Sequence, residues 1–196
     1  MEYKKIYNKG VSKVRKNPVI VVAIVALVVV FLAGIYLVHL EHVERENLKN
    51  QIDSSMWKAD SLMGTGSFEE AIDEYEGIFK VVSPKKFPDR YVTTQNNIGA
   101  AYRNLAEVRD KEANLEKAIH AFQEALKICT AENYPIDYAT AQSNIGTVYI
   151  DLAEVRDKES NLEKSINAFQ EALKIYTVEN YPIRHAHIQS RLRKIS

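Results

Sequence analysis

The chain has 196 residues but only one cysteine, one tryptophan, five prolines and seven glycines. One cysteine makes no internal disulfide and cannot supply the clustered thiolates of a zinc knuckle or an iron–sulfur centre. So little glycine and proline excludes a collagen-like repeat, and 46% apolar residues exclude a disordered chain. Net charge is missing as well, since 26 basic and 26 acidic side chains cancel. There is no glycine-rich phosphate loop, no HExxH and no GxSxG. The expectation is therefore a protein that is not an enzyme and needs no cofactor or metal, with Cys129 a packing residue.

The neutral total averages unlike parts. Met1 to Pro18 carry Lys4, Lys5, Lys9, Lys13, Arg15 and Lys16 against Glu2, a charge of +5, and everything from Glu41 onward sums to −5. A nucleic-acid binder would carry its positive charge on the folded domain, so no nucleic-acid partner is expected. Between these parts, Val19 to Leu40 reads VIVVAIVALVVVFLAGIYLVHL. At 1.5 Å per residue it reaches roughly 33 Å, enough to cross a bilayer. The run is longer than the apolar region of a signal peptide and no small-residue cleavage site follows it. It reads as an uncleaved anchor through residues 19–40, opened by Asn17 as a cap and Pro18 in the first turn. With six basic residues ahead of it and only Arg45, Lys49 and Lys58 in the next twenty, the positive-inside rule predicts a cytoplasmic N-terminus. The domain then lies on the outer, periplasmic or extracellular side of the cell membrane. His39 and His42 share a helix face at the end of the span, as interfacial polar groups or as a metal or haem site.

The second half of the chain repeats itself. Residues 91–137 align without gaps on 138–184, with 34 of 47 positions identical. A period in the range of 20–50 residues marks stacked supersecondary units. Each unit parses into two helices: Ile98, Ala101, Tyr102, Leu105 and Val108 keep helical spacing, then Leu115, Ala118, Ile119, Phe122, Ala125, Leu126 and Cys129. Asn114 and Asn161 are expected as helix N-caps, and Asn-Tyr-Pro at 133–135 and 180–182 is expected to close each unit. Gly99 and Gly146 sit inside the first helices, where glycine costs about 1 kcal/mol against alanine, so a partner helix must approach closely there. Upstream, Gly66-Ser67-Phe68-Glu69-Glu70-Ala71 with Tyr75 and Ile78 opens an earlier second helix, and Ser67 with Glu70 has the form of a capping box. Neither proline nor glycine falls between Ile35 and Met63, so the anchor helix should run into the first helix of that unit until Gly64-Thr65-Gly66.

The motif Ile98, Gly99 and Tyr102, then Ala118, Phe122 and Ala125, recurs as Ile145, Gly146 and Tyr149, then Ser165, Phe169 and Ala172. In these residues the chain resembles the tetratricopeptide repeat family, in a 47-residue variant of the usual period of about 34. Long-period repeats of this kind resemble those of kinesin light chains. The resemblance implies an all-α fold, a right-handed superhelix of three helix pairs and a capping helix behind one transmembrane helix. Its segments are a basic leader (1–18), the span (19–40), a helical connector (41–54), three units over 55–182 (55–88, 91–137 and 138–182) and a cap (183–196). Arg193 stands where the repeat glycine would be in the cap.

The resemblance also implies that the first helix of each unit lines a ligand groove. Carried onto this sequence, the groove positions are Asp53, Met56, Trp57 and Asp60; Thr93, Asn96, Asn97, Ala100, Arg103 and Asn104; Thr140, Ser143, Asn144, Thr147, Ile150 and Asp151; and His187 and Arg191. Asn97 and Asn144 recur mid-helix despite poor helix propensity. They either hydrogen-bond a bound peptide's backbone, as related repeats often do, or stitch neighbouring helices together. Trp57 is a groove anchor or packs the first unit on the second. Only Arg103 and Arg191 stand ready for a terminal carboxylate, short of a full clamp. The expected function is a membrane-anchored, non-catalytic adaptor that binds a protein or peptide segment and recruits or stabilises an envelope-associated complex. The rivals are a homo-oligomeric scaffold, docked through the basic end of Arg184, Arg191, Arg193 and Lys194, and a small accessory subunit of a larger membrane complex.

Overall fold

The computed structural model describes Tyr3 and residues 17–195. The leader expected over 1–18 lies outside the described residues apart from Tyr3, Asn17 and Pro18. Among the described residues there are seven helices and no strand, so the fold is all-α. They are α1 Pro18–Thr65, α2 Phe68–Ile78, α3 Pro88–Ala106, α4 Lys111–Leu126, α5 Pro135–Ala153, α6 Lys158–Leu173 and α7 Pro182–Ile195. The chain divides into two compact units, Met1–Asn50 and Gln51–Ser196.

Asn17 opens α1 by accepting the Val19 N–H on Oδ1 at 3.1 Å, and Pro18 gives up no donor in the first turn. In the first unit α1 is apolar and exposed from Val19 through Val38, and its most apolar 18 residues have a mean hydropathy of 3.2. It is the one helix among the described residues long and apolar enough to cross a membrane. The helix ends as expected at Gly66, whose φ of 82° is open to glycine without a Cβ penalty. The Gly66 N–H then bonds Met63 O at 3.2 Å and the Ser67 N–H bonds Leu62 O at 3.0 Å, which satisfies the last carbonyls.

In the second unit each helix packs on its chain neighbour from α2 onward, and α3 also packs on α5. The repeat is visible as geometry. Phe122 of α4 and Phe169 of α6 are fully buried, and each lies flat against a glycine of the helix before it. A Cβ at Gly99 would fall 2.6 Å from the Phe122 ring, and one at Gly146 would fall 2.8 Å from the Phe169 ring. Close approach is therefore what the two glycines provide. Burying such a ring stabilises by about 1.5–3 kcal/mol. Ion pairs recur with the same period on the surface: Arg109 meets Glu69, and 47 residues on Arg156 meets Glu116. These pairs are exposed, so each contributes little.

Two expected N-caps and one capping box are corrected. Asn114 and Asn161 are not N-caps; the caps are Asp110 and Asp157, in the left-handed region at φ 46° and 45°. Aspartate tolerates that region, and the turn lets the Asp110 and Asp157 carbonyls receive the Asn114 and Asn161 N–H at 3.0 and 2.9 Å. The asparagines are buried in the first turn, where their amides donate back to Arg109 O at 2.9 Å and Arg156 O at 2.8 Å. Ser67 caps α2 without a side-chain bond, so no capping box forms with Glu70. Asn-Tyr-Pro does not close a unit, because Pro88, Pro135 and Pro182 each open a helix. At the first helical position proline's missing N–H is no loss and its fixed φ already suits the turn.

Candidate functional site

Helices α3, α5 and α7 begin 47 residues apart, so residues one period apart hold the same place on each. Asn97, Asn144 and Arg191 form one such series, and Thr93, Thr140 and His187 another. A pocket of about 290 Å³ opens along this face. Ala100, Arg103 and Asn104 come from α3, Ser143, Asn144 and Thr147 from α5, and Arg184, His187 and Arg191 from α7, above the rings of Phe122 and Tyr176.

Charge in the pocket is mostly positive. Arg103 donates from Nε to Asp151 Oδ2 at 2.7 Å and reaches Glu107 at 3.7 Å. The Arg184 guanidinium lies 5.1 Å from the centre of the Tyr176 ring and donates to its hydroxyl at 3.1 Å. That hydroxyl also contacts Thr140 Oγ1 at 2.6 Å and donates to Ile136 O at 3.1 Å. Arg191 has a buried Nε with no hydrogen-bond partner. Burial, and then the like charge of Arg103, hold its pKa below the usual arginine value, against the opposing pull of Asp151. It remains a cation at neutral pH.

The structure thus gathers Ala100, Arg103, Asn104, Ser143, Asn144, Thr147, His187 and Arg191 of the expected groove residues, with Asp151 tied to Arg103. Others lie elsewhere. Met56 is buried at 9% exposure and Asp53 is paired with Arg90 at 2.8 Å. Asn96 is 7% exposed and its Oδ1 has no partner, but it does not line the pocket. Asn97 donates to Asp60 Oδ1 at 3.5 Å, the same oxygen that accepts the Tyr75 hydroxyl, so its amide is engaged between helices. Thr93 donates to Asp89 O and Thr140 to Ile136 O, each within its own helix. Ile150 packs half-buried in the cluster around Phe169, Tyr176 and Ile188. Trp57 is 75% exposed, which overturns packing of the first unit on the second as its role.

Three lining residues stood outside the sequence-based groove: Phe122, Tyr176 and Arg184. Helical spacing puts Phe122 on the apolar face of its helix, and Arg184 is expected only as part of a basic end. The available signal was Pro182, two residues earlier, which opens α7 and so puts Arg184, within the expected cap, in the first turn. His39 and His42 gather no third ligand, since no group of three or more His, Cys, Asp or Glu that could hold a metal occurs among the described residues. Cys129 is fully buried and its thiol is pushed up to about 11 by burial first and then by the charge of Asp137. Compared with family models, with curated proteins and with solved structures, the chain matches none.

Proposed function

We propose that the protein is a membrane-anchored, non-catalytic adaptor of the tetratricopeptide kind, whose right-handed helical array takes up a segment of a partner protein along the face of α3, α5 and α7. The observation that carries this reading is the pocket itself. Side chains 47 residues apart in sequence meet around one opening, with Ser143, Asn144 and Asn104 directed at no partner among the described residues. Polar groups left open on the face of a repeat array are what an extended peptide needs, since it brings its own backbone donors and acceptors. The glycine–phenylalanine contacts of both repeats support the family assignment. The charge bias around the span supports a cytoplasmic N-terminus and an exported array.

Site-specific photo-crosslinking in native membranes tests it. A photoreactive residue at Asn144 or Thr147 should give a discrete protein adduct, and one at Glu163, which does not line the pocket, should not. An adduct of twice the chain mass would favour the self-associating scaffold, and equal labelling from Glu163 would sink the groove reading. For the side of the membrane, Val178→Cys offers an exposed thiol beside the buried Cys129. An impermeant maleimide should label it in intact cells.

A further inference from the structure

More positive charge enters the pocket than the protein neutralises. Asp151 answers Arg103, but no carboxylate pairs with Arg184 or Arg191 among the described residues. Arg191 Nε is the sharper signal, because a charged donor buried without an acceptor carries an uncompensated desolvation cost. Arg184 is held in place by the Tyr176 ring and hydroxyl and keeps its remaining donors free. The side chains of Ser143 and Asn144, on a different helix, make no hydrogen bond among the described residues and line the same space.

The arrangement discriminates among anions. Donors converge from α5 and α7 with two unmatched guanidinium charges, more than the two coplanar oxygens and single charge of a carboxylate require. A phosphate ester carries about −1.5 to −2 near pH 7 and presents three strong acceptor oxygens in a tetrahedral arrangement. We infer that this pocket binds a phosphate-type dianion, presented as a phosphorylated side chain on the bound peptide segment. The inference rests on the groove reading for the peptide, and on Arg184 and Arg191 for the phosphate. Clusters of arginine are the general means of capturing phosphorylated segments.

Calorimetric titration of the full chain in a non-ionic detergent, with inorganic phosphate and separately with the dicarboxylate glutarate, reads the inference directly. Phosphate should bind at pH 7.5 more tightly than glutarate. Arg191→Gln and Arg184→Gln should each weaken phosphate binding by about tenfold or more, the scale of one lost charge-assisted hydrogen-bond pair. Lys194→Gln, which removes the same charge from outside the pocket, should leave it unchanged. Arg184 is on the surface, so its variant keeps a folded reference if Arg191→Gln loses helix content. Failure of phosphate to bind, glutarate binding as tightly, or equal losses with Lys194→Gln would each overturn the proposal. A crosslinked partner at Asn144 without phosphate binding would leave the groove and remove the anion. Phosphate binding without any crosslink would do the reverse.

Discussion

Phe122 and Phe169 hold the same place in the two repeats and meet the same neighbour, a glycine of the preceding helix; Asn97 and Asn144 also hold the same place and meet different ones. The difference lies in what stands one unit earlier. Asn97 finds Asp60 of α1, already bound by Tyr75, so its amide is drawn between helices. Asn144 has Ala100 in the place that Asp60 takes for Asn97, its side chain makes no hydrogen bond among the described residues, and it lines the pocket. Core positions repeat because each ring needs only its own helix pair. Surface positions do not, because each helix faces a neighbour of different sequence. Of the 47 positions 34 are identical, Asn97 and Asn144 among them, so the same residue meets different surroundings in the two repeats.

The glycines offer the strongest way to break the likeness. Gly99→Ala would place a methyl 2.6 Å from a fully buried ring, and Gly146→Ala one 2.8 Å away. Overpacking costs about 1–3 kcal/mol, offset by roughly 1 kcal/mol of helix propensity. A net loss of about 2 kcal/mol is expected at Gly99 and about 1 kcal/mol at Gly146, read from thermal unfolding by circular dichroism. Phe122→Leu should recover part of the Gly99 loss. If both alanine variants gain stability, the packing account of the repeat glycines is wrong.

A second comparison sets Cys129 against Tyr176, which stand one period apart and are both buried. The Cys129 thiol titrates near 11, raised from a reference of 9.0. Because its folded value is raised, the fold holds the proton more tightly, and this contribution is whole below pH 9.0 and is lost as pH rises through about 11. At pH 8 only about one thiol in a thousand is thiolate, so maleimide should label native Cys129 at least about a hundredfold more slowly than the unfolded chain. Tyr176→Cys moves the thiol beside the Arg184 cation and should label faster than Cys129. Equal rates would mean that Arg184 does not govern that end of the pocket.

Helices and their contacts were legible because they follow from periodicity, and the glycine–aromatic spacing even located the closest approaches. The capping residues were not. Asparagine suits an N-cap and also the first turn with its amide turned back to a loop carbonyl, and only the backbone angle separates the two. That angle is left-handed at Asp110 and Asp157, where no glycine gives warning. The pocket was legible in part: the family resemblance implied Asn144, Ser143, Thr147, Arg103 and Arg191 as residues of one groove. It did not show Arg184, whose position depends on Pro182 opening α7, nor the exposure of Trp57.

The asparagines of the helix starts test where the repeats should still agree. Asn114→Ala and Asn161→Ala each remove a buried amide that ties Arg109 O or Arg156 O to the first turn. Each should cost about 1–2 kcal/mol in unfolding free energy, the range for a lost bond that strands a buried carbonyl. Because the two environments match to 0.1 Å in bond length, the losses should be equal within about 0.5 kcal/mol. A large inequality would show that the turn is held by something other than its own repeat.

The smallest expected effect separates Asn97 from Asn144. The Asn97 amide bonds Asp60 at 3.5 Å, the far limit of a hydrogen bond, so Asn97→Ala should cost no more than about 0.5 kcal/mol of stability after helix propensity offsets the loss. The Asn144 side chain makes no hydrogen bond among the described residues, so Asn144→Ala should hold or slightly raise the melting temperature, since alanine is the better helix former. Binding should divide the other way. With the crosslinker moved to Thr147, Asn144→Ala should reduce partner capture by about three- to tenfold, one hydrogen bond in affinity, and Asn97→Ala should leave it near wild type. Measuring melting and capture on both variants gives four numbers, and the sequence alone predicts that they come in equal pairs. If they do, the inter-helix bond of Asn97 has no energetic consequence, and the two repeats offer one continuous binding face instead of a single pocket.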